Sequence, residues 1–362
     1  MSQNLVGCVL NVVILFFRNR FKETFLLTYK AVWKHIMSCQ FYQAAGCNAS
    51  QAIDSVISDI DEEEPIVNES EGGIKTGMYF VEKLKCNKNY ESLKELGSGA
   101  FGIVFTAKFI ETQEKVAVKT ILGKRDTTID DNTLKEFLLE IDFMASFDHP
   151  NIARLIHADK ENLCFSLEFA KGGDLYHLVS RQRGLEEKVA RHIFQGVLNA
   201  VSYLHSKLVV HNDIKPENIL IMSHSSLPVV KLTDFGSSRR FNDPIKKVSG
   251  TLSYCAPEKL EYFCSPLYDR KALTEKLDIY SIGLSLYVSC TYESAFNSNN
   301  ASGILEEIKK GYLIGFFIPK LNIRFSKGCI SFMLNCLTYD RTVRPSAKDL
   351  QCHAWFKQKS FY

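Results

Sequence analysis

The feature that most restricts this chain's fold is a change of apolar rhythm part-way along it. Tyr90 to Leu96, Ile103 to Phe109 and Lys115 to Ile121 are short runs rich in β-branched and aromatic residues, broken by turn chemistry at Gly97-Ser98-Gly99 and Glu111-Thr112-Gln113. They predict three antiparallel strands. Thr133 to Phe147 follows, with Leu134, Phe137, Leu138, Ile141, Met144 and Ala145 at helical spacing. The apolar runs Ala153 to Ile156 and Leu163 to Phe169 predict two further strands. Past Gly172 the pattern turns helical, at Leu185 to His205, Thr274 to Cys290, Ala301 to Lys310, Ser326 to Leu337 and Ser346 to Cys352. The expected fold class is therefore α+β in two lobes: a small five-stranded antiparallel sheet with one helix, then a larger, mostly helical lobe.

Composition removes several classes of function. Apolar residues make up 46% and charged residues 23%, the balance of a globular chain. A net charge of +3, evenly scattered, gives no footprint for nucleic acid. The eleven cysteines are dispersed with no Cys-x-x-Cys pair, which argues against a zinc or redox motif and for buried thiols in a reducing compartment. Leu5 to Phe17 is an apolar run of thirteen, short of the roughly 20 residues a membrane-spanning helix needs. No basic residue precedes it, and Arg18 and Arg20 follow where a signal peptide would show a small-residue cleavage site. A buried or loosely packed helix is expected there and a membrane anchor is the alternative. The acidic stretch from Ser58 to Gly73 marks a linker. The expected division is an extension and linker over 1–85, a small lobe over 86–169 and a large lobe over 170–362.

Several residues carry chemistry. Gly97, Ser98, Gly99, Ala100, Phe101, Gly102, Ile103 and Val104 form a G-x-G-x-x-G-x-V sequence between two expected strands, a hairpin whose backbone N–H groups can lie over phosphates. Lys119 ends an apolar strand seventeen residues past the last of these glycines. A phosphate-binding lysine on the inner face needs a carboxylate to hold it, and Glu140 on the following helix is the natural candidate. In His211-Asn212-Asp213-Ile214-Lys215-Pro216-Glu217-Asn218, Asp213 can orient a hydroxyl or accept its proton. Lys215 can neutralise phosphate oxygens, and Asn218 can offer an amide oxygen to magnesium. Asp234 opens an Asp-Phe-Gly turn sixteen residues after Asn218 and supplies the carboxylate that magnesium prefers.

Together these elements resemble the protein kinase family, over about residues 86 to 358 and in the family's order. Further marks are His149-Pro150-Asn151-Ile152, Ala256-Pro257-Glu258, Asp278 and Arg344. The resemblance implies ATP and Mg2+ as cofactors and proteins as substrates. It implies that Glu258 pairs with Arg344 and that Asp278 supports the loop around Asp213. It implies a hydrophobic spine of Met144, Leu155, Phe235 and His211, and an adenine sandwiched by Val104, Ala117 and Leu220. Leu167 would close the back of that pocket, and the backbone of Glu168 to Ala170 would pair with the base. Asp174 would hold the ribose and, with Glu217, a substrate arginine, although capping a helix is also open to it. Lys215 and Thr251, which would contact Asp213 and Lys215, look like the serine/threonine class.

One letter departs from the pattern. The family usually has arginine at Asn212, where it holds a phosphorylated residue of the activation segment. Lys247 stands where that phosphorylated residue commonly sits, so both halves of the switch are missing together. The reading that follows is an active kinase whose activation segment is ordered without phosphorylation; the alternative is a catalytically silent scaffold. Gly250 to Glu258 also looks like the checkpoint-kinase-one family of the calcium/calmodulin-kinase-like group. That likeness implies cell-cycle or damage signalling in nucleus and cytoplasm. It departs at Asn212, at Tyr280 where tryptophan is usual, and in the long regulatory tail, because the chain stops at Tyr362.

Overall fold

The structure is a computed structural model that describes residues 87–99, 102–121, 131–241, 250–265, 274–311, 313, 315, 321 and 323–357. The apolar run at Leu5, the acidic linker, Ala100, Phe101 and Lys247 lie outside them. No helix among the described residues is long and apolar enough to cross a membrane.

The small lobe is a five-stranded antiparallel sheet in the order β1-β2-β3-β5-β4. Its strands are β1 (Tyr90–Gly99), β2 (Gly102–Phe109), β3 (Lys115–Thr120), β4 (Leu155–Asp159) and β5 (Cys164–Glu168). Helix α1 (Asp131–Ser146) follows β3 and buries Phe137, Glu140, Ile141, Phe143 and Met144. Tyr90, Phe105, Phe109, Val116, Val118 and Cys164 pack on one face of the sheet as a separate small core. β4 starts two residues later than the Ala153 to Ile156 run predicts. The reason is competition for backbone partners. Residues 151–153 pair with Leu232 instead, through Leu232 N–H to Asn151 O at 2.8 Å and Ala153 N–H to Leu232 O at 2.9 Å.

The large lobe is built on α3 (Glu187–Ser206) and α5 (Lys276–Thr291), with α6 (Ala301–Lys309), α7 (Lys327–Cys336), α8 (Ala347–Gln351) and α9 (Ala354–Lys357) around them. α5 is buried on every side, as its near-continuous apolar sequence requires of a helix threading a core. Ser326 caps α7 through Cys329 N–H, and Ser346 and Asp349 form a capping box on α8. Three helices were not legible in advance, the four-residue α9 and two longer ones. α2 (Leu175–Gln182) begins at Asp174, which accepts from His177 N–H at 2.8 Å, and α4 (Pro257–Cys264) begins with proline at its first turn. Both are only eight residues long, too short for a period to stand out.

Short two-stranded pairs carry the functional loops between these helices. β6 (Val209–Val210) pairs with β9 (Arg239–Arg240), and β7 (Ile219–Ile221) with β8 (Val230–Leu232). Asp213 therefore leaves β6, Asn218 precedes β7, and Asp234 follows β8. Two small ladders hold all three within one cleft beneath the sheet.

Candidate active site

Pairing of Gly97 with Val104, Ser98 with Ile103 and Gly99 with Gly102 carries the β1–β2 hairpin almost to its tip. The two outer glycines differ. A Cβ on Gly102 would overlap the carbonyl oxygen of Thr120 on β3, whereas one on Gly97 would meet nothing within 4 Å. No described residue therefore fills the position a Gly97 side chain would take. Val104, Ala117 and Leu220 are half-buried, and Leu167, which pairs with Ala117 between β3 and β5, is buried. Glu168 follows at the end of β5. Its carboxylate binds Lys231 at 2.7 Å and accepts from Arg154 N–H at 2.7 Å, which fixes the start of the connection through Ala170 to the large lobe.

Lys119 points inward from β3. Its ammonium donates to both oxygens of Glu140, at 2.7 and 2.8 Å, and to Asp234 Oδ1 at 2.9 Å. Burial disfavours the ammonium, but the two carboxylates outweigh it and hold its pKa above the ordinary lysine value. Burial likewise works against the Asp234 carboxylate, and Lys119 overcomes it, leaving that pKa lowered. One cation therefore joins strand, helix and Asp-Phe-Gly turn. Asp234 itself sits at φ 64°, and the turn swings Phe235 into the core against His211, 4.9 Å between ring centroids, and Phe147, 5.0 Å. Met144 and Leu155, the other expected spine members, belong to the same apolar cluster. Phe147 was not foreseen, because it closes an apolar helix pattern and reads there as ordinary core.

The loop around Asp213 is held from below by Asp278, which is fully buried at the start of α5. Asp278 accepts from the backbone N–H groups of His211 at 2.9 Å and Asn212 at 2.8 Å, and its carboxylate lies 2.9 Å from His205 Nε2. Burial opposes this carboxylate and the hydrogen bonds, His205 first, pull its pKa down. Above it, Lys215 Nζ lies 2.9 Å from Asp213 Oδ2 and donates to Thr251 Oγ1 at 2.7 Å. Thr251 N–H donates to Asp213 Oδ1 at 2.8 Å. Burial would raise the Asp213 pKa; Lys215 and Thr251 reverse that, so the carboxyl stays ionised. A carboxylate so held can align a hydroxyl and receive its proton, with an ammonium beside it to meet phosphate charge.

The Asn218 amide nitrogen donates to Asp213 O at 2.8 Å and approaches Asp213 Oδ2 at 3.3 Å. That orientation turns its carbonyl oxygen away from Asp213. With the Asp234 carboxylate, which is partly open to solvent, it makes a two-oxygen donor set. No group of three or more His, Cys, Asp or Glu able to hold a metal occurs among the described residues. Two oxygens fit a magnesium ion that keeps waters and phosphate oxygens as its other ligands. When bound there, magnesium would neutralise phosphate charge as a Lewis acid.

The structure brings Lys119, Glu140, Asp213, Lys215, Asn218, Asp234 and Thr251 into one polar cluster. Asp174 lies at the cleft's edge, joined to β7 through its bridge to Leu220; besides capping α2, its carboxylate meets His177 Nδ1 at 2.7 Å. Glu217 is exposed beside the loop. Glu258 and Arg344 form a buried bidentate pair, at 2.7 and 3.1 Å. Tyr280 supports it, its ring 4.9 Å from the guanidinium carbon. Sequence reasoning missed Lys259, which is buried next to Glu258 and donates to Asn212. A lysine on a short helix gives no sign that it faces inward.

Residues 90–356 match the protein kinase domain model. The chain belongs to the protein kinase family. Over 274 residues it is 34% identical to the SNF-related serine/threonine-protein kinase of Rattus norvegicus, covering 74% of this chain and 34% of that protein. Over 273 residues it is 31% identical to CBL-interacting protein kinase 28 of Oryza sativa subsp. japonica, covering 73% and 58%. Over 292 residues it is 34% identical to calcium-dependent protein kinase 4 of Plasmodium falciparum (isolate 3D7), covering 78% and 52%. This chain thus spans from about a third to under three-fifths of the length of these relatives. A crystal structure of the Rad53 kinase domain and SCD2 shares the fold, with a TM-score of 0.59 and 24% identity over 75% of this chain and 91% of that one.

Proposed function

We propose that this chain is a serine/threonine protein kinase that transfers the γ-phosphate of ATP, with Mg2+, to Ser or Thr of basic proteins without prior phosphorylation of its own activation segment. The observation that carries the reading is Lys119 bound at once to Glu140 and Asp234 while Lys215 and Thr251 hold Asp213. In this reading Asp213 aligns the acceptor hydroxyl, Lys215 steadies the phosphoryl oxygens, and Lys119 holds the nucleotide's phosphates under the hairpin. Asn218 and Asp234 hold the metal. The hinge from Glu168 to Ala170 receives the adenine.

The test is transfer of labelled phosphate from magnesium-ATP to an arginine-containing serine peptide, with phosphatase-treated chain beside an Asp213→Asn variant. Transfer by the first alone supports the reading. ATP binding without transfer in either supports the silent scaffold. Preference for arginine upstream of the target follows from Glu217 and Asp174, and peptides without arginine that react equally fast would remove it. Kinship with checkpoint kinase one, and with it a signalling role in nucleus and cytoplasm, rests on the wording of Gly250 to Glu258. Fluorescence imaging of the tagged chain before and after DNA damage checks that part.

A further inference from the structure

The residue that departs from the family pattern is engaged at both ends of the activation segment. Asn212 Nδ2 donates to the carbonyl oxygen of Ser237 at 3.1 Å, just past the Asp-Phe-Gly turn. From the far side of the segment, the buried ammonium of Lys259 donates to Asn212 Oδ1 at 2.7 Å and to the Asn212 carbonyl at 2.9 Å. Asn212 sits at φ 70°, a left-handed conformation that asparagine tolerates better than a long side chain does. Its side-chain and backbone oxygens meet the same ammonium.

Other features fit a purpose-built junction. Gly250 lies directly over it: a Cβ there would come within 2.6 Å of Lys259 Nζ and 2.7 Å of the Asn212 carbonyl, and φ is 108°. The neighbouring Glu258 carboxylate is committed to Arg344, so Lys259 answers to the loop and not to that acid. The first strand of the segment has its own tie to α1, Arg239 with Glu136 at 3.5 Å. Burying an ammonium against neutral oxygens is costly unless each bond is made.

We infer that Lys259 and Asn212 are positioning residues that clasp the two ends of the activation segment to the loop of Asp213, doing by hydrogen bonds within the chain what a phosphate on the segment does for an arginine. The inference deepens the proposed activity and rests on it for its catalytic consequence. The clasp sets Gly250 and Thr251 against Asp213 and so governs how acceptor peptide meets the catalytic carboxylate. Lysine at 259 and asparagine at 212 work as a unit, and arginine at 212 would set a second cation against the buried ammonium.

The experiment uses the full chain, treated with phosphatase, as Lys259→Met, Asn212→Ala, the double variant and Asn212→Arg. Hydrogen exchange reads the clasp itself. The Thr251 amide, which donates to Asp213, should exchange about tenfold faster in Lys259→Met. Peptide kinetics read its consequence. Each single variant should lose about tenfold in kcat/KM for peptide through peptide KM, with ATP KM unchanged. The double variant should be within about twofold of the worse single one, and Asn212→Arg should be impaired like Lys259→Met. Unchanged exchange at Thr251, multiplying losses in the double variant, or losses shared equally by ATP KM would each overturn the clasp. If the unsubstituted chain transfers no phosphate, the proposed activity fails, and exchange at Thr251 still decides the clasp.

Discussion

Asp213 stands under two opposed influences. Burial favours its protonated form, and Lys215, with Thr251 behind it, reverses that. Its carboxyl is depressed below the ordinary aspartate value, so activity should show no acid limb from this group between pH 8 and 5. Lys215→Ala removes the largest influence opposing burial, leaving only the hydrogen bonding from Thr251, and raises the Asp213 pKa. The acid limb of kcat/KM should then move upward into the assayable range, beyond any fall in the plateau, and a pH–rate profile of both proteins checks it. At this scale much of the site could be read from the chain, because glycines, lysines and carboxylates at fixed spacings state their chemistry directly. Lys259 and Phe147 could not. An inward-facing lysine on a two-turn helix and a phenylalanine in a helical pattern carry no sign of what the third dimension sets beside them.

Helix α1 reaches the cleft through one carboxylate. Glu140 grips Lys119 with both oxygens, and the same ammonium binds Asp234, so one cation ties the helix to β3 and to the Asp-Phe-Gly turn. Glu140→Gln keeps the shape and removes the charge. It should lower kcat by about 100-fold by letting Lys119 drift, with the fold intact by circular dichroism. Asp174, at the cleft's edge, also caps α2. Asp174→Ala should cost about 1 kcal/mol of stability in a denaturant titration, apart from any effect on peptide selection. The element order was legible because long periodic segments announce themselves. The start of β4 was not, since Asn151 and Ala153 bond Leu232, a partner some eighty residues away that no local pattern reveals.

At the scale of the whole molecule the activation segment is also anchored at its far end. Arg344 binds Glu258 through two nitrogens and donates to the carbonyls of Thr338, Tyr339 and Lys276. Arg344→Leu would strand a buried carboxylate and leave several carbonyls unpaired. The expected cost is about 3–5 kcal/mol, a large part of the total stability of a domain, read as a marked fall in thermal midpoint. The apolar core runs without a break from α1 through β8 to α5 and α7. The two lobes therefore share packing as well as a cleft, a continuity that composition announces only in general.

The two ends of the glycine hairpin answer to different masters. At Gly102 the neighbouring strand already occupies the room a side chain would need, so that glycine is kept by the fold whatever the protein binds. At Gly97 no described residue comes within 4 Å of the same atom, so packing makes no such demand there. Under the proposed function, selection on nucleotide use would be written at position 97 and selection on folding at position 102. A lineage that gave up phosphoryl transfer but kept its shape would let the first drift long before the second.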